Sequence, residues 1–345
     1  MNLSPNKIQP KPSNDGNALS LEARNQLLRR VADVLACPRC RMHLLAKLPS
    51  EELLKCPQCG SEGHYREGKF FFAGIDETTI AHDWLNRWKE LAKRRLGRFY
   101  PLVIRILSPV HASSFVRDFI SRFDTAEQLL VDLGSGTTDY GEHVVCSDAV
   151  GYPNVHVVCD LATLPFRDES IDGCISVAVL EHVPDPRKHV QEMWRVLRPG
   201  GRVLCYVPFM QGYHASPDDY QRYTKSGLLH LFRDFEIINV AVGAGPTSGM
   251  LWLLQEWLAI VFSFGSGRLY RALLPLTWLL SPLKYLDLLL ARHPAAHVIA
   301  SGLVIEARRP YESSTPRVIN CAPAALNEPS PHETLPDSKN DASEV

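Results

Sequence analysis

The 345-residue sequence has no excess of either charge. Its 37 Lys and Arg stand against 38 Asp and Glu, a net charge of −1. A chain so balanced exerts no long-range pull on polyanions, which argues against a dedicated nucleic-acid binder and leaves only local basic patches for such contact. An apolar run of the roughly 20 residues needed to span a bilayer is also missing. The two most apolar stretches, GMLWLLQEWLAIVFSF and LYRALLPLTWLLSPLKYLDLLLA, are broken by Gln255, Glu256, Arg271, Lys284 and Asp287, and by Pro275 and Pro282. The opening MNLSPNKIQPKPSNDG lacks the continuous apolar segment of a secretory signal, so a cytoplasmic location is the expectation. A disulfide framework is lacking as well, because the nine cysteines are unevenly used. Cys146, Cys159, Cys174 and Cys205 sit singly in apolar strand-like runs, where small buried hydrophobes are the ordinary reading, and Cys321 lies in a polar tail.

The remaining four cysteines form two pairs, CPRC at 37–40 and CPQCG at 56–60. Two CxxC knuckles so close together can close a tetrahedral thiolate site around zinc, with Cys37, Cys40, Cys56 and Cys59 as ligands. A four-thiolate site has no open position, so its zinc is expected to be structural, supplying folding energy to a segment with little core of its own. The stretch LACPRCRMHLL…LLKCPQCGSEGHYREGKFFF resembles the small zinc ribbons found alone or fused to methyltransferases, in which a short strand follows, here KFFF.

The chain divides into a polar, disordered lead with a short helix at 1–30, a zinc ribbon at 31–75 and a helical linker at 76–125. In the linker Trp84, Leu85, Trp88 and Leu91 recur at helical spacing, with Arg87, Lys89, Lys93, Arg94, Arg95 and Arg98 opposite. That basic face is read as solvated, or as a contact for phosphates or anionic headgroups. From 126 to 310 short apolar strands alternate with helices: QLLVDLG, VVCSD, VHVVCD, IDGCISVAV, GRVLCYVPF, FEIINVAVG and ASGLVIEAR, with helices over RKHVQEMWRVL and SGLLHLFRDF. Such alternation is the pattern of an α/β sheet with both faces covered. A hydrophobic helical insertion occupies 246–297 before the last strand, and 311–345 reads as a disordered tail.

Gly134 and Gly136 follow the first of these strands in DLGSG, where glycine permits a tight turn and close backbone approach to a ligand. Asp148 closes the next strand, where a carboxylate can accept from a ribose diol. Further on stand D(x)LPFxDxSxD from Asp160, VLEHVPDP and RVLRPGG.

In this order the motifs closely resemble the class I S-adenosylmethionine-dependent methyltransferases, in particular the type 11-like group. The resemblance implies a Rossmann-like α/β fold with seven strands, mostly parallel and one reversed. It also implies S-adenosyl-L-methionine as cofactor. The turn Gly134–Ser135–Gly136 would pass its methionine part, Asp132 would support the amino group, Asp148 would hold the ribose, and Asp160 with Leu161 would flank the adenine. The sequence departs from the family between the first two strands. Only TTDYGEH separates Gly136 from VVCSD, room for a loop or one turn where a full first helix is usual. Two outcomes are open: a working cleft covered by N-terminal helices, or a fold that has lost its donor.

A second dense cluster, PFMQGYHASPDDYQRYT at 208–224, follows the fifth strand, at the end of the sheet where ligands of open α/β folds collect. It resembles a bacterial subgroup of these enzymes acting around envelope saccharides or other small acceptors. Methyl transfer from a sulfonium is an in-line displacement that needs an aligned nucleophile and, for a hydroxyl, removal of its proton. His214 is the first candidate base and His182 the second, with Asp218 orienting His214 or binding substrate. Tyr213, Tyr220, Arg222 and Tyr223 are the candidate acceptor contacts, Arg222 for an acidic group, while Thr224 reads as a helix cap. The expected acceptor is a small molecule, a saccharide or a lipid-linked saccharide. RNA is the alternative acceptor, nucleic acid being disfavoured by charge without being excluded, and a non-catalytic scaffold is the third reading. For 246–290 the readings are a cap over the sheet, a dimer contact or a wall of the substrate site, and contact with the inner face of a membrane.

Overall fold

The computed structural model describes residues 17–46, 52–72, 95, 97–110, 114–141, 143–215 and 218–311. The polar lead through residue 16, most of the basic linker helix and the tail from 312 lie outside the described residues. The first helix, α1 (Asn17–Val34), is longer than the short helix expected and runs into the segment assigned to the ribbon. Strands β1 (Glu52–Lys55), β2 (Glu62–Arg66) and β3 (Lys69–Phe71) form an antiparallel meander, followed by the helices α2 (Tyr100–Leu107) and α3 (Phe115–Ile120).

The α/β part then begins with β4 (Leu130–Leu133), β5 (Val144–Asp148), β6 (Val157–Val158) and β7 (Ile171–Val177). These strands are almost wholly buried, as continuous apolar runs in a parallel sheet require. Helix α4 (Pro186–Val196) starts on Asp185, whose side chain accepts from the Lys188 amide, with proline in its first turn. After it come β8 (Leu197–Pro208), α5 (Lys225–Leu231) and β9 (Glu236–Ala244). Thr224 caps α5 through the Gly227 amide, as its position in the sequence suggests. The insertion holds α6 (Pro246–Phe262), α7 (Gly267–Thr277), a 3-10 segment (Trp278–Leu286) and α8 (Asp287–Leu290), and β10 (Gly302–Arg308) closes the fold.

The ten strands among the described residues belong to one sheet, in the order β1-β2-β3-β6-β5-β4-β7-β8-β10-β9. Seven of them are the expected α/β strands, with β10 inserted antiparallel between β8 and β9. The other three belong to the cysteine segment. It is no separate bead: β3 pairs in parallel with β6, Phe70 opposite Val157 and Phe71 opposite Val158. The Phe70 and Phe72 amides donate to His156 O and Val158 O at 2.9 and 3.0 Å. Leu27, Leu28, Val31, Cys37 and Phe70 share one buried cluster with Phe166, Met193 and Val203. On the opposite face of the sheet Val116 and Phe119 of α3 and Trp252 of α6 pack with Ile175, Tyr206 and Val304.

Candidate active site

The glycine turn lies at the carboxyl end of β4. Gly134 and Gly136 both have positive φ, 77° and 54°. A Cβ at Gly134 would stand 2.4 Å from Val179 Cγ2, so only glycine fits between the turn and the segment after β7. Asp132 and Ser135 are fully buried, and the Gly134 and Ser135 amides both donate to Ser147 O, at 2.8 and 3.1 Å.

The described residues between β4 and β5 contain no helix. Side chains hold the turn in its place. Asp148 Oδ2 accepts from the Gly136 amide at 2.7 Å and Oδ1 from the Val150 amide at 2.9 Å. Asn154 Nδ2 donates to Gly136 O at 3.1 Å and to Thr138 O at 2.6 Å. A ribose at this point would therefore share a carboxylate already anchored by two backbone amides. Asn154 was not foreseen; its sole signal is an amide side chain in an otherwise apolar short connection. Tyr140 follows on the turn, where burial and then the charge of Asp132 push its hydroxyl well above the usual range. Asp160 is exposed and accepts from the Ala162 amide at 2.8 Å, while Leu161 is buried beside it.

The side expected to face an acceptor is built from two segments. The first leaves β7 through Ala178, whose φ of 55° is unusual for a residue with a side chain, into a 3-10 turn at Leu180–His182. The second is the strap after β8, tied to the first by Tyr220 N to Glu181 O at 2.8 Å and by Gln221 Nε2 to Leu180 O at 3.2 Å. His182 and His214 meet with ring centroids 5.3 Å apart, and Trp252 of the insertion packs on His214 at 5.5 Å. The expected pair of imidazoles is thus brought together in a buried site walled by the insertion.

Several side chains take positions other than those expected. Asp218 does not orient His214: its carboxylate accepts from Tyr220 Oη at 3.1 Å, and its backbone oxygen lies 2.6 Å from His182 Nδ1. Asp219 faces His214 instead, accepting from the His214 amide at 2.9 Å. Burial raises the Asp219 carboxyl, but Arg222 and the His214 amide outweigh it, and the group ends below the usual carboxylate range. Arg222 is not held out to an acceptor. Its guanidinium grips both oxygens of Asp219 and donates to Gly212 O and Gln221 O. Tyr213 and Tyr220 are exposed, at 69% and 52%. The Tyr223 hydroxyl is buried without a hydrogen-bond partner, as are Arg222 Nε, Trp252 Nε1 and both oxygens of Glu181. Glu181, fully buried between the two imidazoles, is the site residue that sequence reasoning passed over, although it stands inside the quoted VLEHV.

At the ribbon the four cysteine sulfurs draw together. Cys37 Sγ lies 3.5 Å from Cys59 Sγ and Cys40 Sγ 3.4 Å from Cys56 Sγ. A tetrahedron with zinc–sulfur bonds of 2.3 Å has edges of about 3.8 Å, so the cluster fits the ion closely. Arg41 and Gly60, each following a knuckle's second cysteine, have φ of 65° and 72°, which gives the two knuckles the same turn. Ser61 Oγ, 3.2 Å from Cys59 Sγ, pulls that thiol down to about 6. A hollow of about 480 Å³ lies between the ribbon and α4, lined by Arg41, Asp168, Lys188, Glu192 and Arg195, away from the glycine turn.

Residues 123–205, the span from the approach to β4 into β8, match the family described as "Methyltransferase domain". This span is a class I methyltransferase domain. The methyltransferase domain is similar to the human "Probable tRNA methyltransferase 9B", 31% identical over 141 residues that cover 35% of this chain and 31% of the relative. It is also similar to the mouse "tRNA (carboxymethyluridine(34)-5-O)-methyltransferase ALKBH8", 45% identical over 58 residues, 16% of this chain and 9% of the relative. The chain thus spans about a third or less of these curated relatives. Among solved structures, Haemonchus contortus phosphoethanolamine N-methyltransferase 2 with S-adenosyl-L-methionine aligns with a TM-score of 0.41 and 17% identity, over 70% of this chain and 62% of that one.

Proposed function

We propose that this chain transfers the methyl group of S-adenosylmethionine to an oxygen of an RNA nucleoside, with zinc at the four cysteines as a structural ion. The observation that carries the reading is a set of buried, unpartnered polar atoms where two segments meet beyond the sheet: Glu181 and Arg222 approach the His214 ring, Trp252 packs on it, and Tyr223 follows Arg222 in the strap. Buried polar groups are almost always hydrogen-bonded, so such a group of orphans marks a site shaped for a polar ligand. The sequence alone favours a saccharide acceptor over RNA. The tRNA-methyltransferase names of the relatives support the reverse order, and nothing supports the saccharide. In this reading the turn from Asp132 to Gly136 holds the donor, and the imidazoles and Glu181 stand where the acceptor oxygen must shed its proton. The protein's contribution is alignment and proton removal, because the sulfonium supplies the leaving group.

A lipid-linked acceptor at a membrane surface is a second reading, favoured by the outer side of the insertion. Trp257, Ile260, Phe264, Leu276, Leu279, Leu288 and Leu289 are each at least 58% exposed. Exposed apolar surface of that extent ordinarily has a partner. One helical stretch, Gly267–Leu290, is long and apolar enough to cross a membrane by length and composition, although prolines interrupt it. The two readings separate when purified protein and methyl-labelled donor are added to a cell extract. Label in ribonuclease-sensitive material supports RNA, and label in the solvent-extractable lipid fraction supports the second reading. A folded protein that leaves the extract unlabelled contradicts both.

A further inference from the structure

Three electron-rich atoms converge where the 3-10 turn after β7 meets the strap after β8. Glu181 Oε1 lies 3.7 Å from His182 Nε2 and 3.6 Å from His214 Nε2, and the three side chains can direct one atom each to a common point. Glu181 is fully buried, and neither of its oxygens has a hydrogen-bond partner. A buried carboxylate in that condition is among the most costly groups a protein can hold.

The other ring nitrogens decide what faces it. His182 Nδ1 lies 2.6 Å from Asp218 O. A carbonyl can only accept, so Nδ1 carries the proton and Nε2 of the neutral ring presents a lone pair. His214 Nδ1 lies 3.0 Å from Gly212 O, which makes the same demand. Arg222 Nη2 is also near, at 3.2 Å, but its two hydrogens are used by Gly212 O at 3.1 Å and Asp219 Oδ2 at 2.5 Å. Two nitrogen lone pairs and a carboxylate therefore face one another, an arrangement that repels itself without a cation. A proton is too small to serve, since charge-assisted N–H···O bonds close to about 2.7–2.9 Å. A metal ion fits: a tetrahedron with bonds of about 2.1 Å has edges of about 3.4 Å.

We infer that Glu181, His182 and His214 bind a divalent transition-metal ion, with the nitrogen and oxygen donors that suit zinc and its neighbours. The Nδ1–H bonds to Asp218 O and Gly212 O are the supports that metal-binding imidazoles ordinarily have, fixing ring orientation and tautomer. Three protein ligands leave a fourth position open to an exchangeable oxygen. The site shares a wall with the glycine turn, because Val179, two residues before Glu181, packs on Gly134.

The chemical use of the ion rests on the methyl-transfer reading above. An acceptor hydroxyl in the fourth position becomes more acidic on the metal and loses its proton to water. The freed oxygen pair bonds to the methyl carbon, the carbon–sulfur pair stays on sulfur, and the sulfonium becomes a neutral thioether.

Zinc binding is measured without any methyl transfer, so this inference and the donor reading fail separately. Zinc chloride is titrated by calorimetry into full-length protein whose thiolate site holds one equivalent by elemental analysis. The wild type takes up one further equivalent. Glu181→Gln and His214→Asn weaken that step by on the order of 100-fold or more, beyond the loss from removing a mere ligand support, with unchanged circular dichroism. A folded wild type that binds no second equivalent, or variants that bind it equally well, overturns the inference. Where a variant does not fold, zinc-edge anomalous scattering from wild-type crystals soaked in zinc decides. A peak between Glu181 and the two imidazoles upholds the site, and a map with zinc at the cysteines alone refutes it.

Discussion

The seven-stranded sheet carries two additions, and they are attached by opposite means. The ribbon joins at the β6 edge through backbone pairing of β3 and places Val31, Cys37 and Phe70 in the common core. The insertion joins at the other side through buried polar anchors. Ser281 Oγ donates to Leu107 O of α2 at 2.7 Å, and within the insertion Asp287 caps α6 by accepting from the Thr247 and Ser248 amides at 2.7 and 2.8 Å. Lys284 donates to Arg105 O, Ile106 O and Ser108 O at the carboxyl end of α2, while burial, with Arg105 adding, pushes its ammonium down to about 8. The ribbon therefore buries a sheet edge that would otherwise be open to foreign strands. The insertion fixes its inner side, reaches the site with Trp252, and leaves its outer side apolar and bare. One addition belongs to stability and the other to contact.

Breaking the ribbon is expected to have the largest effect. Apparent zinc affinities of small zinc modules correspond to about 10–16 kcal/mol, as much as the whole stability of an ordinary domain. Chelation, or Cys37→Ser, is expected to unfold ribbon and methyltransferase domain in one transition, because they share a core. Thermal unfolding followed by tryptophan fluorescence and circular dichroism checks this. A sheet that melts unchanged after zinc removal contradicts a shared core.

A smaller effect of pH falls on the same edge. His156, whose carbonyl receives the Phe70 amide, accepts from the Cys146 amide through Nδ1 at 3.0 Å. Burial, then the charge of Arg24, lower its pKa from 6.5 to about 4. Between these values the unfolded chain takes up a proton that the folded chain refuses. Stability is therefore lost as pH falls through this window, by about 3 kcal/mol at most. Denaturant titrations at pH 7 and pH 4.5 are expected to show that loss, and His156→Asn, which keeps an acceptor, is expected to flatten it. An equal slope in the variant removes the assignment.

How much of this was legible in the sequence follows the same division. The glycine turn, the cysteine knuckles and the strand series were readable because each is a local pattern: DLGSG, two CxxC pairs, apolar runs between turns. The docking of β3 on β6 was not, since a three-residue strand gives no hint of a parallel partner about 85 residues away (Phe70 against Val157). The exchange of roles between Asp218 and Asp219 was equally hidden. Neighbouring residues of a strap point in different directions, and only the fold decides which one meets His214. Glu181 was overlooked because a glutamate beside a histidine reads as an ordinary surface residue until its burial is seen.

The insertion gives the smallest effect on stability and the sharpest contrast. Phe264 and Leu289 are 87% and 75% exposed. Replacing both with Ser is expected to change unfolding free energy by less than about 0.5 kcal/mol each. Under the membrane reading the same change reduces co-sedimentation with anionic vesicles. Unaltered sedimentation would leave the exposed face to some other partner.

The central claim is that the shortened turn, held by Asp148 and Asn154, still receives the methyl donor. Calorimetric titration of S-adenosylmethionine into the folded, zinc-loaded chain tests it directly. The account predicts saturable binding at one site per chain, lost when Asp148→Ala releases the Gly136 amide, with folding retained. Absence of binding by the wild type would mean that the turn has closed the cleft, and the domain would be a methyltransferase in shape alone.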